Sequence, residues 1–195
     1  MSVLTSTSVA QVAGPWEAEL SDHWAGIDSM FADPMRSPLD SADRIGFVQV
    51  QRYPVDRAMR VYARFRPARS QRSFGMRTST DRVPVYTDIG TLQFRLNGRK
   101  CRLHVYRNVE LVRQEAYRDH LFVPFTDLTN GSGSYGGGRY LDLKGPLEER
   151  VVLDFNRAYN PYCAYSDRFS CPVPPRENHL QVEVTAGAMA FGKDH

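Results

Sequence analysis

Residues 91–106 read Thr91-Leu-Gln-Phe-Arg-Leu-Asn-Gly-Arg-Lys-Cys-Arg-Leu-His-Val-Tyr106 and have the pattern of a β-hairpin. The pair Asn97-Gly98 favours a two-residue type I′ turn, because both of its residues adopt a positive φ at low cost. Such a turn fixes the residues that face each other across the two strands: Leu96 and Arg99, Phe94 and Cys101, Leu92 and Leu103. These pairs form one apolar face, so the polar residues between them fall on the other: Gln93, Arg95, Lys100, Arg102 and His104. We therefore expect Cys101 to be a buried packing thiol and His104 to lie on the polar face.

Strand-like segments continue on both sides of this hairpin. In residues 60–66, arginine and tyrosine alternate with Val61, Ala63 and Phe65, which is the period of a half-buried strand. Further strands are expected in four segments: Leu121–Phe125, Arg139–Leu143, Val151–Asn156 and His179–Thr185. Because turns rich in glycine or proline separate them, the sequence predicts a mainly β protein whose antiparallel sheet is rolled into a barrel or sandwich.

One amphipathic helix precedes the strands. From Pro15 onward, apolar side chains recur at the spacing of a helical stripe: Trp16, Leu20, Trp24, Ile27 and Phe31. Pro34 and Pro38 prevent the helix from continuing. We expect it to pack against the sheet or to close one end of the barrel. Residues 1–14 are predicted to form a flexible arm, and residues 15–195 a single β-rich domain.

The composition is that of an ordinary globular protein. Of its 195 residues, 42% are hydrophobic and 24% are charged, and the formal net charge is only +3. The basic residues are spread along the chain, which disfavours a nucleic-acid partner. The first thirty residues lack a signal-peptide pattern, and no later segment approaches ~20 apolar residues. The sequence predicts a cytoplasmic protein that binds neither nucleic acid nor membranes, and it leaves a homodimer open.

Three cysteines are an odd number for a disulfide framework. A bridge between Cys163 and Cys171 would fit an exported protein. Cys163 is a candidate nucleophile if a base such as His120 or His179 lies beside it. A zinc site made of Cys163, Cys171 and His179 would lack a fourth ligand and the usual close spacing. We therefore expect no metal.

A glycine-rich segment extends from Thr129 to Arg139. Its free backbone N–H groups could cradle an anion. The spacing matches neither GxxxxGK[ST] nor GxGxxG, however, and the segment leads into a strand where those motifs require a helix. A flexible or tightly folded loop is favoured over a nucleotide site, and no cofactor is expected. A third option is that the glycines let the chain pass close to a ligand held by Tyr135 and Arg139.

Hydrogen-bonding residues are unusually dense between Val151 and Tyr165. Strand alternation would place Asp154 and Asn156 together on one face of the last strand before this cluster. Two neighbouring polar residues on one face are either solvated or line a cavity. They are followed within nine residues by a group of further polar and aromatic side chains: Tyr159, Asn160, Tyr162, Cys163 and Tyr165.

Four motifs occur together in this half of the chain. They read LFVPFTDLT from Leu121, YGGGRYLD from Tyr135, DFNRAYNPYCAY from Asp154 and CPVPPREN from Cys171. Together they resemble the bacterial family labelled domain of unknown function 1684. The resemblance extends more weakly upstream, to about residue 16. It implies no activity, cofactor or mechanism, but it implies that the motif residues belong to one shared feature: Asp127, Tyr135, Arg139, Asp154, Asn156, Tyr159, Asn160, Cys163, Tyr165, Cys171 and Glu177.

We expect a small-molecule enzyme with proton-transfer or hydrolytic chemistry in a pocket at the mouth of the barrel. Asp154 would be the general acid or base, Arg139 would hold a ligand anion, and Cys163 would be a nucleophile. The substrate would be bound by five further residues: Tyr135, Asn156, Tyr159, Asn160 and Tyr165. Of these, Asn156 or Asn160 would donate to a developing oxyanion. The alternative is a non-catalytic ligand-binding or structural module built from the same residues, and a weaker one is a cysteine-based metal site.

Overall fold

Seven strands form one antiparallel sheet in the computed structural model, which describes residues 14–192. The strands are β1 (Arg60–Pro67), β2 (Ser73–Gly75), β3 (Val85–Leu96), β4 (Arg99–Asn108), β5 (His120–Phe125), β6 (Arg139–Lys144) and β7 (Arg150–Asp154). Their order is β6-β5-β4-β3-β1-β7, and β2 pairs with β3 beside this path. The sheet curls into a half-barrel, which confirms the predicted fold class, and β6 and β7 are the two edges that do not meet.

The β3–β4 hairpin has the predicted register. Leu96 lies opposite Arg99, and the pairs further from the turn follow in step. Asn97 and Gly98 have φ values of 49° and 76°, as a type I′ turn requires. Cys101 is only half-buried, although it packs against the core as expected. On the polar face, His104 Nδ1 lies 2.7 Å from Asp88 Oδ2.

Helix α1 (Pro15–Ala32) carries the predicted apolar stripe. Three residues of the stripe are buried and two are partly buried: Leu20, Trp24 and Phe31, then Trp16 and Ile27. The second helix, α2 (Ser41–Arg44), is a single turn. Of the helices in residues 14–192, none combines the length and the apolar character needed to cross a membrane. The arm predicted for residues 1–14 lies outside the described residues except for Gly14.

Helix α1 lies across the gap between β6 and β7, which we call the seam. Trp16 Nε1–H donates a hydrogen bond of 2.7 Å to Asp154 Oδ2, at the end of β7. Two turns later, Trp24 Nε1–H donates one of 3.0 Å to the carbonyl of Asn156. Both indole N–H groups therefore fasten the helix to the chain at the end of the sheet, while the indole rings remain in apolar contact.

Two of the predicted strands differ from the structure: one was wrong at its end and the other was wrong entirely. The strand expected over Val151–Asn156 ends at Asp154, because the Asp154 side chain accepts the N–H of Asn156 at 3.0 Å and caps a 3-10 turn. The segment His179–Thr185 is no strand of the sheet. It runs as extended chain beside β5, where Leu180 N–H donates to the Thr126 carbonyl at 2.8 Å.

A buried ion pair joins three parts of the chain. Arg139, the first residue of β6, is fully buried, and its Nη2 lies 2.8 Å from Asp127 Oδ2. The same guanidinium donates to three carbonyls in the C-terminal segment: those of Val184 (2.8 Å), Ala186 (2.5 Å) and Ala188 (3.2 Å). Asp127 in turn accepts the N–H of Val184 at 3.1 Å. In this network the side chains of Arg139 and Asp127 bond to backbone groups of the C-terminal segment that would otherwise pair with a neighbouring strand.

We expect the substitution Arg139→Met to lower the free energy of unfolding by about 3–5 kcal/mol, because it leaves the Asp127 charge buried without its partner. Urea unfolding measures this change. Arg95→Met is the matched control, since Arg95 is exposed and donates only to Gly98, and it is expected to change stability by less than about 0.5 kcal/mol. Equal urea midpoints for the two variants would contradict a structural role for the buried pair.

Candidate functional site

The three predicted catalytic residues lie in separate places. Arg139 is buried in the network just described, and its Nη atoms are bonded to Asp127 and to backbone carbonyls. A side chain without exposed surface cannot reach an incoming anion. Arg139 therefore stabilises the fold and does not make the ligand contact that was predicted from the sequence.

Asp154 holds helix α1 on the sheet. It is 8% exposed, and its oxygens accept hydrogen bonds from Trp16 and from the backbone and side chain of Asn156. The guanidinium groups of Arg60 and Arg157 each lie 3.9 Å from Oδ2. Because these donors come from its own chain, the carboxylate is committed to internal bonds. The arrangement does not favour the acid or base role predicted for Asp154.

Asn156 is likewise engaged with its own chain. Its Oδ1 accepts the N–H of Asp56 at 2.8 Å, and its Nδ2 donates to the Asp56 carbonyl at 2.8 Å and to Asp154 at 2.9 Å. The side chain is buried. It fixes the turn before β1 against the end of β7 and has no hydrogen-bonding group left for an oxyanion.

The glycine-rich segment is a tightly folded loop. The carbonyl of Thr129 accepts the N–H groups of Ser132, Gly133 and Ser134, and the loop leads into β6. Asn130 Nδ2 also donates to the Ser134 hydroxyl at 2.9 Å. The segment is therefore a tightly folded loop between strands, as one of the expectations had it.

The seam contains an open cleft of about 500 Å³. Charged and polar side chains from both edges line it: Trp16, Glu19, Arg60, Asp142, Lys144, Asp154 and Arg157. Several of these charges pair with each other. Besides its contact with Asp154, Arg157 lies 3.6 Å from Glu19. Ion pairs between its own side chains therefore occupy part of this cleft, which makes it less suited to binding a ligand.

A second cavity, of about 250 Å³, lies under the C-terminal half of α1. We call it the α1 cavity. It brings together three of the five predicted substrate-binding residues, Tyr159, Asn160 and Tyr165. The remaining lining is mostly apolar or aromatic, apart from the imidazole of His23 and the carboxylate of Asp142. Its other members are Trp24, Ile27, Met30, Phe31, Val50 and Tyr162.

Asn160 is the most informative residue of the α1 cavity. It is 2% exposed, and its Nδ2 donates to the Met189 carbonyl at 2.8 Å and to the Tyr165 hydroxyl at 3.2 Å. The Met189 carbonyl fixes the orientation of the amide, because only the nitrogen can face it. Oδ1 has no donor within residues 14–192. A buried acceptor without a donor costs about 1–3 kcal/mol, so its presence calls for an explanation.

Asp142 supplies the negative charge of the α1 cavity. It follows Tyr140 on the outer face of β6, because side chains alternate along a strand. Its Oδ2 accepts the Tyr159 hydroxyl at 2.8 Å, and its Oδ1 lies 2.9 Å from His120 Nε2. Burial raises the pKa of Tyr159 well above its usual value, and the Asp142 charge raises it further. Tyr159 therefore remains a protonated donor at neutral pH.

His23 faces the cavity from α1. Its Nε2 is buried and has no partner among the described residues. Burial lowers the pKa of His23 below 6.5, and the positive charge of Arg157 lowers it further. A hydrogen bond to the Arg157 backbone and the charges of Asp142 and Asp154 oppose this shift. The imidazole is therefore neutral at pH 7 and can accept a proton.

Cys163 lies near two of the predicted motif residues. The Tyr135 hydroxyl is 3.8 Å from its Sγ, and its own N–H donates to Cys171 Sγ at 3.2 Å. Neither candidate base lies beside it, because His120 pairs with Asp142 and His179 Nδ1 with the Thr126 hydroxyl at 2.8 Å. Within residues 14–192, no group of three or more His, Cys, Asp or Glu residues could hold a metal ion. The alternative of a cysteine-based metal site thus has no ligand set there.

Sequence reasoning missed His23 and Asp142. Asp142 ends the YGGGRYLD motif, and its alternation with Leu141 and Leu143 could have placed it on the outer face of its strand. His23 lies next to Trp24 and four residues before Ile27, at the border of the apolar stripe. No local signal connects a histidine near residue 20 to an aspartate near residue 140, since only the packing of α1 brings them together.

Comparison with known proteins finds a family model and a solved structure that this chain resembles. The family model described as Protein of unknown function (DUF1684) matches residues 45–189. This range includes Asp142, Asn160, Cys163 and Cys171 but not α1. The solution NMR structure of an uncharacterised protein from Haloarcula marismortui is similar, with 37% sequence identity and a TM-score of 0.71. The similarity covers 89% of this chain and 94% of that one. No match was found among the curated proteins.

The lowered pKa of His23 leads to a prediction about pH and stability. Below pH 6.5, and above the lowered pKa, the unfolded chain binds more protons at this position than the folded chain. Stability is therefore lost as the pH falls through this range. We expect His23→Gln to gain stability relative to the wild type between pH 7 and pH 5 in urea unfolding. His179→Gln, at an exposed site, gives the baseline for removing a histidine, and parallel curves for His23→Gln and wild type would refute the shift.

Proposed function

The chain belongs to the family Protein of unknown function (DUF1684), and from the geometry of the α1 cavity we propose that it binds a small ligand carrying hydrogen-bond donors and performs proton transfer on it. The observation that carries this proposal is Asn160 Oδ1, a buried acceptor that has no donor within residues 14–192 and belongs to a residue that lines the cavity. A ligand N–H or O–H group would satisfy this acceptor and remove its cost.

The size and lining of the cavity define the class of ligand. Its volume of about 250 Å³ lies below the range of about 300–1,000 Å³ that holds drug-sized molecules. Asn160 Oδ1 and the Asp142 carboxylate are both acceptors, and aromatic rings such as those of Trp24 and Tyr165 surround them. This combination suits a small amine or amide with an apolar body.

His23 would be the base of the reaction. Its neutral Nε2 takes a proton from the bound ligand, and the imidazolium that forms is stabilised by the charges of Asp142 and Asp154. Tyr159, which stays protonated, donates to Asp142 and holds its carboxylate in place. The acid or base role expected for Asp154 thus passes to His23, and Asp154 acts on it only through its charge.

A second candidate is a non-catalytic binding or structural module. It is favoured by the internal hydrogen bonds of Arg139, Asp154 and Asn156, which account for three of the predicted site residues without any ligand. We further propose that the protein works in the cytoplasm, since free cysteines fit a reducing compartment.

Ligand binding is tested with a panel of small amines, amides and alcohols, screened by ¹H–¹⁵N chemical-shift changes and by thermal unfolding. We expect amines to shift resonances of residues that line the α1 cavity. A ligand at a hundred times its Kd stabilises the protein by about 2.7 kcal/mol. The substitution Asp142→Asn removes the charge opposite the amine and should weaken binding by at least about tenfold.

The matched control for this test is Asp88→Asn. Asp88 pairs with His104 on the same sheet at 2.7 Å, much as Asp142 pairs with His120 at 2.9 Å, but it does not line the α1 cavity. We expect Asp88→Asn to bind like the wild type. If no panel member shifts the cavity resonances, or if the two variants weaken binding equally, the α1 cavity is not the ligand site.

Proton transfer is tested by incubating the protein with its panel ligands in D₂O and following C–H exchange and hydrolysis by NMR. We expect exchange or hydrolysis of a bound ligand in the wild type and a loss of at least about a hundredfold in His23→Gln, as is typical when a general base is removed. Ligands that bind without exchange or hydrolysis would favour the non-catalytic module.

A further inference from the structure

Two cysteines outside the α1 cavity lie side by side. Cys163 belongs to the 3-10 turn Tyr162–Ala164, and its N–H donates to Cys171 Sγ at 3.2 Å. Its own Sγ is three covalent bonds away from that nitrogen, and the Cys171 thiol also hydrogen-bonds to this Sγ, so the two sulfurs are direct neighbours. Both thiols are free.

Several donors surround the Cys163 sulfur. The Tyr135 hydroxyl lies 3.8 Å away, and Ser79, whose Oγ accepts the N–H of Cys171 at 3.1 Å, is a neighbour as well. A hydrogen bond from the Cys171 thiol is the main cause that lowers the pKa of Cys163 to about 6, and bonds from Tyr135 and Ser79 contribute. The same contact raises the pKa of Cys171. This contact favours a thiolate at Cys163 with the Cys171 thiol as its donor, while the backbone N–H groups of Cys163 and Tyr162 partly oppose the rise in the pKa of Cys171.

The third cysteine provides an internal contrast. Cys101 is also half-buried, but burial raises its pKa, and its thiol donates to the Arg99 carbonyl of its own hairpin at 3.7 Å. It packs against the sheet core, away from the turn that holds Cys163. The two half-buried cysteines thus differ in their side-chain neighbours, because Cys163 has a second thiol and two hydroxyl groups beside its sulfur.

We propose that Cys163 and Cys171 form a redox-active pair in which a small hydroperoxide oxidises Cys163 and Cys171 then closes a reversible disulfide. Cys163 is half-buried, which leaves a path for a molecule as small as hydrogen peroxide, whereas Cys171 is 8% exposed. An accessible thiolate next to a second cysteine is the arrangement found in redox-sensing sites. This activity is independent of the α1 cavity and of the proposed proton transfer.

The chemistry is balanced in two steps. The Cys163 thiolate attacks one oxygen of the hydroperoxide, the O–O bond breaks, and the departing alkoxide or hydroxide takes a proton to leave as alcohol or water. Cys171, having lost its proton, then attacks the sulfur of the Cys163 sulfenic acid, and the S–O bond breaks with release of hydroxide, which is protonated to water. The two thiols lose two electrons and the hydroperoxide gains them. A small thiol reverses the process by exchange.

The test treats the reduced full chain with hydrogen peroxide at neutral pH, followed by intact-mass analysis and peptide mapping. We expect a product lighter by two hydrogen atoms, with a bridge between the peptides of Cys163 and Cys171, and full recovery on addition of dithiothreitol. Cys101→Ser is the matched control and should give the same product at the same rate. A peroxide-treated protein that keeps all its thiols, or that oxidises Cys101 as fast as Cys163, would overturn the proposal.

Single substitutions separate the two steps. Cys171→Ser should stop at the sulfenic acid of Cys163, heavier by one oxygen atom and trapped by dimedone. Cys163→Ser should leave Cys171 unmodified, because the remaining thiol is buried and burial by itself raises its pKa. Dimedone labelling of Cys171 in that variant, or an unmodified Cys163 in Cys171→Ser, would contradict the assigned order.

A pH profile distinguishes activation from mere proximity. At pH 7, iodoacetamide should alkylate Cys163 at least about tenfold faster than Cys101, because only Cys163 is mainly thiolate. Tyr135→Phe removes one donor and should move the midpoint of the Cys163 profile to higher pH without changing that of Cys101. An unchanged midpoint would remove Tyr135 from the site, and equal alkylation rates for Cys163 and Cys101 would overturn the proposal.

Discussion

The guanidinium of Arg139 and the carboxylate of Asp127 meet in the interior of the protein, and much of the remaining structure is arranged around them. Burying two charges costs several kcal/mol for each ion, which their mutual attraction offsets only when further hydrogen bonds complete the geometry. The three carbonyls of residues 184–188 supply such bonds to the two Nη atoms, while the buried Nε has no partner within residues 14–192. The C-terminal segment is thereby held beside Ala158, whose carbonyl accepts the N–H of Ala188 at 2.7 Å. The next carbonyl, that of Met189, orients Asn160. The buried pair is thus connected to the α1 cavity through the carbonyls of residues 186, 188 and 189, which bond to Arg139 on one side and to Asn160 on the other.

The parts of the fold that follow from local pattern could be read from the sequence. Asn97-Gly98 determines the register of its hairpin, and the apolar spacing from Trp16 to Phe31 determines the face that α1 buries. The segment 179–185 was predicted wrongly, because its alternation is that of a strand although the backbone groups of Val184 bond to the side chains of Arg139 and Asp127. Those partners lie more than forty residues earlier in the chain, and nothing in the local sequence marks them.

The candidate site shows the same limit. Tyr159, Asn160 and Tyr165 were found because they lie close together in a dense polar segment, and one cavity does contain them. Arg139 and Asp154 have residue types typical of active sites, yet their partners make them structural. Asp154 bonds to Trp16, which is 138 positions away. Whether a charged residue contacts a ligand or stabilises the fold depends on such distant partners. These partners cannot be identified from a single sequence.

The packing of α1 has a consequence for how the protein is made. The helix is synthesised first, and its buried face rests on Ala164, Tyr165 and Ala188, which are synthesised more than a hundred residues later. Translation from the N-terminus therefore leaves two tryptophans and a phenylalanine without these partners until nearly the whole described chain has left the ribosome. The α1 cavity is likewise incomplete until Tyr165, the last of its lining residues in the chain, has been synthesised. Chaperones that shield apolar segments of nascent chains would meet this protein at its first helix.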